Sequence, residues 1–202
     1  MTEEVLERRV LHFNQNRPYS PHSALEVGAC FKVGHAYNPF FSFFESPPAI
    51  EVYPGIPAKT GVNLLEKVVG KQVPSPPKLG NIALEFLRNS VNLSRELLTE
   101  LVRERDFPAA PSRMKCLWVF DDETQADHWR MRLHPGNSGR LVELAVTGRL
   151  HRCDAGWLLS DTGDPISKSL NEAARYWGGD PCPTDPQPEL LFVGEAEVVA
   201  LI

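Results

Sequence analysis

Apolar residues recur along this chain with two periods, and the changes between them mark its elements. "TEEVLE", residues 2–7, opens with a hydroxyl residue and acids, which predicts the cap and first turn of a short helix. "RRVLHFN", residues 8–14, alternates as a strand that carries His12. "RPYSPHSA", residues 17–24, is a turn-rich break. "LEVGACFKVG", residues 25–34, reads as a short strand or loop pair punctuated by Gly28 and Gly34. Five aromatic residues then fall between Tyr37 and Phe44, a run that suits a core or an interdomain plug. Its other reading is that Tyr37 or a neighbouring Phe walls a ligand site.

The middle of the chain is helical in pattern. Residues 47–80 are rich in Pro and Gly around one short helix, "NLLEKVV". A long helix follows at about 81–105, with Ala83, Leu87, Val91, Leu98 and Leu101 as its expected buried stripe. Asp106 and Pro108 end it. "KCLWVF", residues 115–120, is a short apolar strand. Asp122 with Gln125 three residues on resembles a capping box. It starts a helix at 123–133 that buries Ala126, Trp129 and Leu133.

The last third alternates with a period of two. In "GRLVELAVTG", Leu141, Glu143 and Ala145 face away from Val142, Leu144 and Val146. "RLHRCDAGWLL" is expected after a tight turn, and "SLNEAARYWGG" is a short helix stopped by glycine. "PELLFVGEAEVVALI" reads as two strands meeting at a bend or bulge at Gly194. Helices in the middle and strands at both ends predict an α+β fold with a mostly antiparallel or mixed sheet.

Composition narrows the function classes. The chain has 202 residues, enough for one domain with a substantial core, 1–202. Its 18 prolines are about twice the usual share and predict stiff connections. The net charge of −5 argues against a dominant nucleic-acid surface. Cys30, Cys116, Cys153 and Cys182 form no C-x-x-C pair, which excludes a zinc ribbon and fits a reduced, cytoplasmic protein. Export by a route without a signal peptide stays open. No signal core opens the sequence and no 18-residue apolar run predicts a membrane partner.

Nucleotide-loop, hydrolase and zinc-protease motifs are absent, and no histidine takes metal-ligand spacing, so no metal is expected. What remains are single polar residues, each with a plain structural reading. His12 can be a hydrogen-bonded core histidine, and Glu189 a solvated acid at a strand start. Arg113 can cap the preceding helix, and Tyr176–Trp177 can be core.

"FPAAPSRMKCLWVFDDETQADHW", residues 107–129, resembles an uncharacterised bacterial family known as domain of unknown function 2441. That family tends to show a long helix, then "FP..PSR", an apolar strand and an "A..W" helix. The tail, "EAARYWGG" and then "PELLFVGEAEVV", fits the same family's ending. The resemblance spans most of the chain, least clearly 45–80. The family in turn looks like a distant branch of the ADP-ribosyltransferases. That likeness implies a split β core clamping NAD⁺, with loop and helical insertion at 45–110. It also implies three strand-borne positions: a His or Arg on the first strand, an aromatic or small polar residue on a central strand, and a C-terminal acid. Here these fall on His12, on Ser112, Trp118 or Phe120, and on Glu189 as the catalytic acid. "LHFN" is also similar to the "YHGT" opening of the rifampin-modifying branch, though Phe13–Asn14 stand where that branch has Gly-Thr.

The implied function is transfer of ADP-ribose from NAD⁺, the substrate, to an acceptor by a toxin or a modifying enzyme. A protein or small-molecule acceptor is favoured over nucleic acid. In that reading His12 binds the adenosine ribose, Ser112 and Arg113 form a cleft lip with Arg113 on the diphosphate, an aromatic residue stacks on nicotinamide, and Trp118 and Tyr37 are further cofactor-binding candidates. The alternatives are a catalytically inactive interaction protein on the same scaffold, with 37–44 as its patch, and an accessory or immunity protein.

Overall fold

The computed structural model describes residues 1–14, 25–45, 50–53, 56–58, 61–133, 139–158 and 164–202. The turn-rich break at 17–24 and the proline pair at 47–48 lie outside these residues, as does the Leu133 side chain. The elements run β1 (Thr2–Asn14), β2 (Cys30–Val33), α1 (Pro39–Glu45), β3 (Ile50–Tyr53), β4 (Ile56–Ala58), α2 (Gly61–Val69) and α3 (Leu79–Asp106). Then come β5 (Leu117–Val119), α4 (Glu123–Leu133), β6 (Arg140–Asp154), a 3₁₀ turn at Ala155–Trp157, α5 (Ile166–Gly178) and β7 (Pro188–Leu201).

The fold is α+β. Five strands join in one antiparallel sheet, in the order β1-β6-β7-β2, with β5 also on β7. The second sheet is the β3–β4 hairpin. After β5, Phe120 exchanges both backbone hydrogen bonds with Leu11 of β1, at 2.8 Å each. The circuit β5-β7-β6-β1 therefore closes on itself at one end, and its inner face is the main core. Val10, Val119, Val142, Leu144, Leu190 and Phe192 fill it. α5 and the end of α3 cover the other face, where Val102, Cys153, Tyr176, Trp177 and Leu191 pack. Burial on both faces explains why His151 and Asp154 are buried as well as Leu150.

Three expectations are corrected. Residues 2–7 belong to β1 and not to a helix: Thr2 through Val5 pair with His151 through Gly148. A helix that short is marginal alone, and the ladder satisfies its backbone groups instead. The bulge between Val5 and Arg8, with Glu7 at φ 49°, absorbs the break in alternation.

No turn separates "LAVTG" from "RLHRC", and β7 does not divide at Gly194. Gly148 and Gly194 face each other in the ladder with φ of 147° and 143°. A Cβ on Gly148 would stand 2.4 Å from the Val193 carbonyl oxygen, and one on Gly194 2.3 Å from that of Thr147. These glycines serve close strand approach within two long strands.

The stripe expected inside α3 lies partly outside. Leu87 and Leu101 are 51% and 54% exposed, while Ile82, Glu96, Thr99, Glu100 and Val102 are buried. The capping reading holds: Asp122 Oδ1 accepts the Gln125 N–H at 2.9 Å, and Ala126 and Trp129 are buried.

Candidate functional site

The strands and helices above converge on a cavity of about 650 Å³. The end of β1 supplies His12 and Phe13, the turn before β5 supplies Arg113, β5 itself supplies Trp118, and the head of β7 supplies Glu189. The aromatic run forms α1, whose Phe40, Phe43 and Phe44 line the same space while Phe41 is buried. Asn38 fixes that helix to the β5 turn. Its Nδ2 donates to the Arg113 and Cys116 carbonyls at 2.6 and 3.2 Å, and its Oδ1 accepts the Phe41 N–H at 3.1 Å.

His12 Nδ1 lies 2.9 Å from the Trp118 carbonyl oxygen. A carbonyl only accepts, so Nδ1 carries the hydrogen of that bond. The Leu11–Phe120 pairing is what brings these two segments together.

Glu189 follows Pro188 on β7, opposite Cys153 of β6. The residue is 8% exposed, and the hydrogen bonds of its carboxylate fall on one oxygen. Oε2 accepts from Arg113 Nη1 at 2.5 Å and from the Tyr176 hydroxyl at 2.8 Å. Oε1 accepts neither of these bonds.

Arg113 is buried and committed. Nε donates to Glu96 Oε2 at 2.8 Å, Nη2 to Glu96 Oε1 at 3.4 Å, and Nη1 to the Tyr176 hydroxyl at 2.5 Å and to Glu189. Four of its five N–H groups are used. Its guanidinium carbon also lies 5.0 Å from the Tyr176 ring and 5.5 Å from that of Trp118. Arg95 adds a second cation on Glu96 at 2.9 Å.

The charges shape one another. Burial by itself would raise the Glu96 carboxyl, but Arg113 and Arg95 outweigh it and hold the group below its usual value. Burial would lower Arg113, and Glu189 and Glu96 reverse that, keeping it charged. Burial pushes the Tyr176 hydroxyl well above its usual value, so it stays a donor. Burial also raises the Cys116 and Cys153 thiols beside this cluster, which makes both inert small core residues.

Four expected residues, His12, Arg113, Trp118 and Glu189, thus meet at one cavity. Ser112 and Tyr37 do not line it. Ser112 Oγ accepts the Met114 N–H at 3.2 Å in the turn and borders a separate hollow. Tyr37 lies under Lys115, 5.8 Å from Nζ to the ring centroid. Glu96 and Tyr176 are the members that sequence reasoning missed. A carboxylate on a long helix and an aromatic near a helix end carry no mark of pairing when their partners are 17 and 63 residues from them. Among the described residues no helix is long and apolar enough to cross a membrane, and no three metal-ligating side chains cluster. All four cysteines are free.

A family model described as protein of unknown function, DUF2441, matches residues 10–202. No curated protein matches the chain.

Proposed function

The chain belongs to the DUF2441 family, whose description names no activity, and from its site we propose an NAD⁺-binding protein that transfers ADP-ribose. One observation carries this reading: His12, Trp118 and Glu189, from three strands, line one aromatic cavity of about 650 Å³. That volume lies within the ~300–1,000 Å³ of small-molecule sites.

The chemistry breaks the bond between nicotinamide and the ribose anomeric carbon. The bonding pair leaves with nicotinamide, and the ribose becomes an oxocarbenium-like cation. The acceptor nucleophile then bonds to that carbon and loses its proton. Glu189 Oε1 would face the developing charge and bind it more strongly than the ground state. His12 would bond the adenosine ribose, and Trp118 with the phenylalanines of α1 would stack on the planar rings. With its donors committed to Glu96, Tyr176 and Glu189, Arg113 is assigned the positioning of Glu189 in place of the diphosphate. The acceptor is a protein or small molecule, in keeping with the net charge of −5.

Calorimetric titration with NAD⁺ tests this. Wild type should bind saturably, and His12→Ala should weaken binding about fivefold to tenfold, the loss of one hydrogen bond. Glu189→Gln should retain binding but lose nicotinamide release by about 100-fold or more. No binding through the millimolar range would sink the proposal.

A second reading has its own support: Glu189 is largely buried and already bound to Arg113 and Tyr176. On that reading the cluster is structural and α1 docks a protein partner. Glu189→Gln would then lower stability and leave a partner complex as the only activity to find.

A further inference from the structure

A second hollow of about 440 Å³ adjoins the main cavity and shares Val33, Gly34 and Lys115 with it. The turn after α3 walls it with Pro108, Pro111 and Ser112. The glycine crossing of the sheet walls it on the other side, through Gly148, Val193 and Gly194. The two glycines there are required by strand approach, since a Cβ on either would meet the backbone of the facing strand.

Residues that carry donors line this hollow. Arg149 Nη1 donates to the Ala109 carbonyl at 3.0 Å, which anchors the guanidinium and leaves its other N–H groups uncommitted. Lys115 Nζ rests over the Tyr37 ring, with no carboxylate partner among the described residues. Ser112 Oγ is an acceptor in the turn, so its own proton can be donated outward. His35 stands exposed at the rim.

The two other charged residues that line it, Arg103 and Glu4, are of opposite sign. Arg103 is neutralised by Glu100 and Glu104 at 2.8 and 3.6 Å. One Glu100 oxygen is buried without a partner, but Glu100 does not border the hollow. Glu4 is the acid at the hollow. It faces Arg149 across the β1–β6 ladder, yet Arg149 turns to the Ala109 carbonyl instead.

We propose that this hollow is an anion subsite that takes a phosphoryl group between Lys115, Arg149 and the Ser112 hydroxyl. A planar fork from β6, with a point charge and a hydroxyl from the turn before β5, suits the spread oxygens of a tetrahedral group. The chain carries a net charge of −5, so its overall field repels anions and any anion site has to be assembled locally. The shared Lys115 wall allows one phosphorylated ligand to reach from the main cavity into the hollow.

The test uses inorganic phosphate and pyrophosphate, titrated by calorimetry into wild type, Lys115→Gln, Arg149→Gln and the remote Lys168→Gln. Wild type and Lys168→Gln should show one saturable site. Lys115→Gln and Arg149→Gln should each bind about tenfold or more weakly, the loss of one charge-assisted hydrogen bond. In ¹⁵N–¹H spectra of the wild type, the Gly148 and Gly194 amides should shift on titration, which reads the site without any substitution. No saturable binding through the millimolar range would overturn the proposal, as would equal affinity in all variants. The NAD⁺ reading is tested apart: pyrophosphate binding here without NAD⁺ binding keeps the subsite and loses the transferase. NAD⁺ binding with no phosphate site does the reverse.

Discussion

Arg113 has no acidic residue within five positions of it on its N-terminal side, and nothing in its neighbourhood announces its partners. The fold supplies them from α3, α5 and β7, and the result is a buried cluster of Arg95, Arg113, Glu96 and Glu189 that is neutral overall. Such clusters are costly to break because a lone charge is left inside. Arg113→Ala should therefore lower unfolding free energy by about 3–5 kcal/mol in urea titrations. A double-mutant cycle with Glu96→Gln should show strong coupling. A loss under about 1 kcal/mol would mean that the two carboxylates are hydrated rather than paired. At this scale the sequence revealed which residues are chemically able to act. His12 and Glu189 were legible as polar groups on strands, whereas Glu96 and Tyr176 acquire their roles only through contact.

The helix α3 separates periodicity from direction. Its apolar spacing was readable, and its limits agree with the expected ones within two residues. Its inner face was not readable, because the period says which side chains share a face and not which face a neighbour covers. α5 covers the side bearing Thr99, whose carbonyl accepts Trp177 Nε1 at 2.8 Å, and Glu96 is held by Arg113. Pairing satisfies polar groups that would otherwise make burial of that face unfavourable. Leu87→Gln should accordingly change stability by no more than about 0.5 kcal/mol, while Val102→Ala should cost roughly 2 kcal/mol. Chemical denaturation of both variants decides this, and the reverse ranking would restore the stripe first expected.

For the molecule as a whole, the packing of α5 on β6 makes stability depend on pH. His151 is buried beneath Trp177, with Nε2 3.0 Å from the Trp177 carbonyl and Nδ1 2.9 Å from the Thr2 hydroxyl. Burial, with a smaller contribution from the Met1 ammonium, lowers its pKa from 6.5 to about 4. The folded state prefers the neutral ring, so between these values the unfolded chain binds a proton that the folded chain does not. This contribution is fully present above about 6.5 and is lost as pH falls towards 4. The denaturation midpoint should drop over that window in wild type and drop less in His151→Gln. Equal slopes would place the acid sensitivity elsewhere. Below it, protonation of Glu96, whose carboxyl is held low by Arg113 and Arg95, removes further stability.

The amino-acid order determined the local elements of this protein: period-two runs, helical spacings, proline breaks and the Asp122 cap all act over a few residues. It also determined the α+β class, since helices lie between strand-rich ends. Tertiary structure alone decided that residues 2–7 extend β1, that Gly148 and Gly194 cross inside unbroken strands, and that α3 turns a polar face inward. Each depends on a partner distant in sequence, whose hydrogen bonds, charge or bulk outweigh local preference.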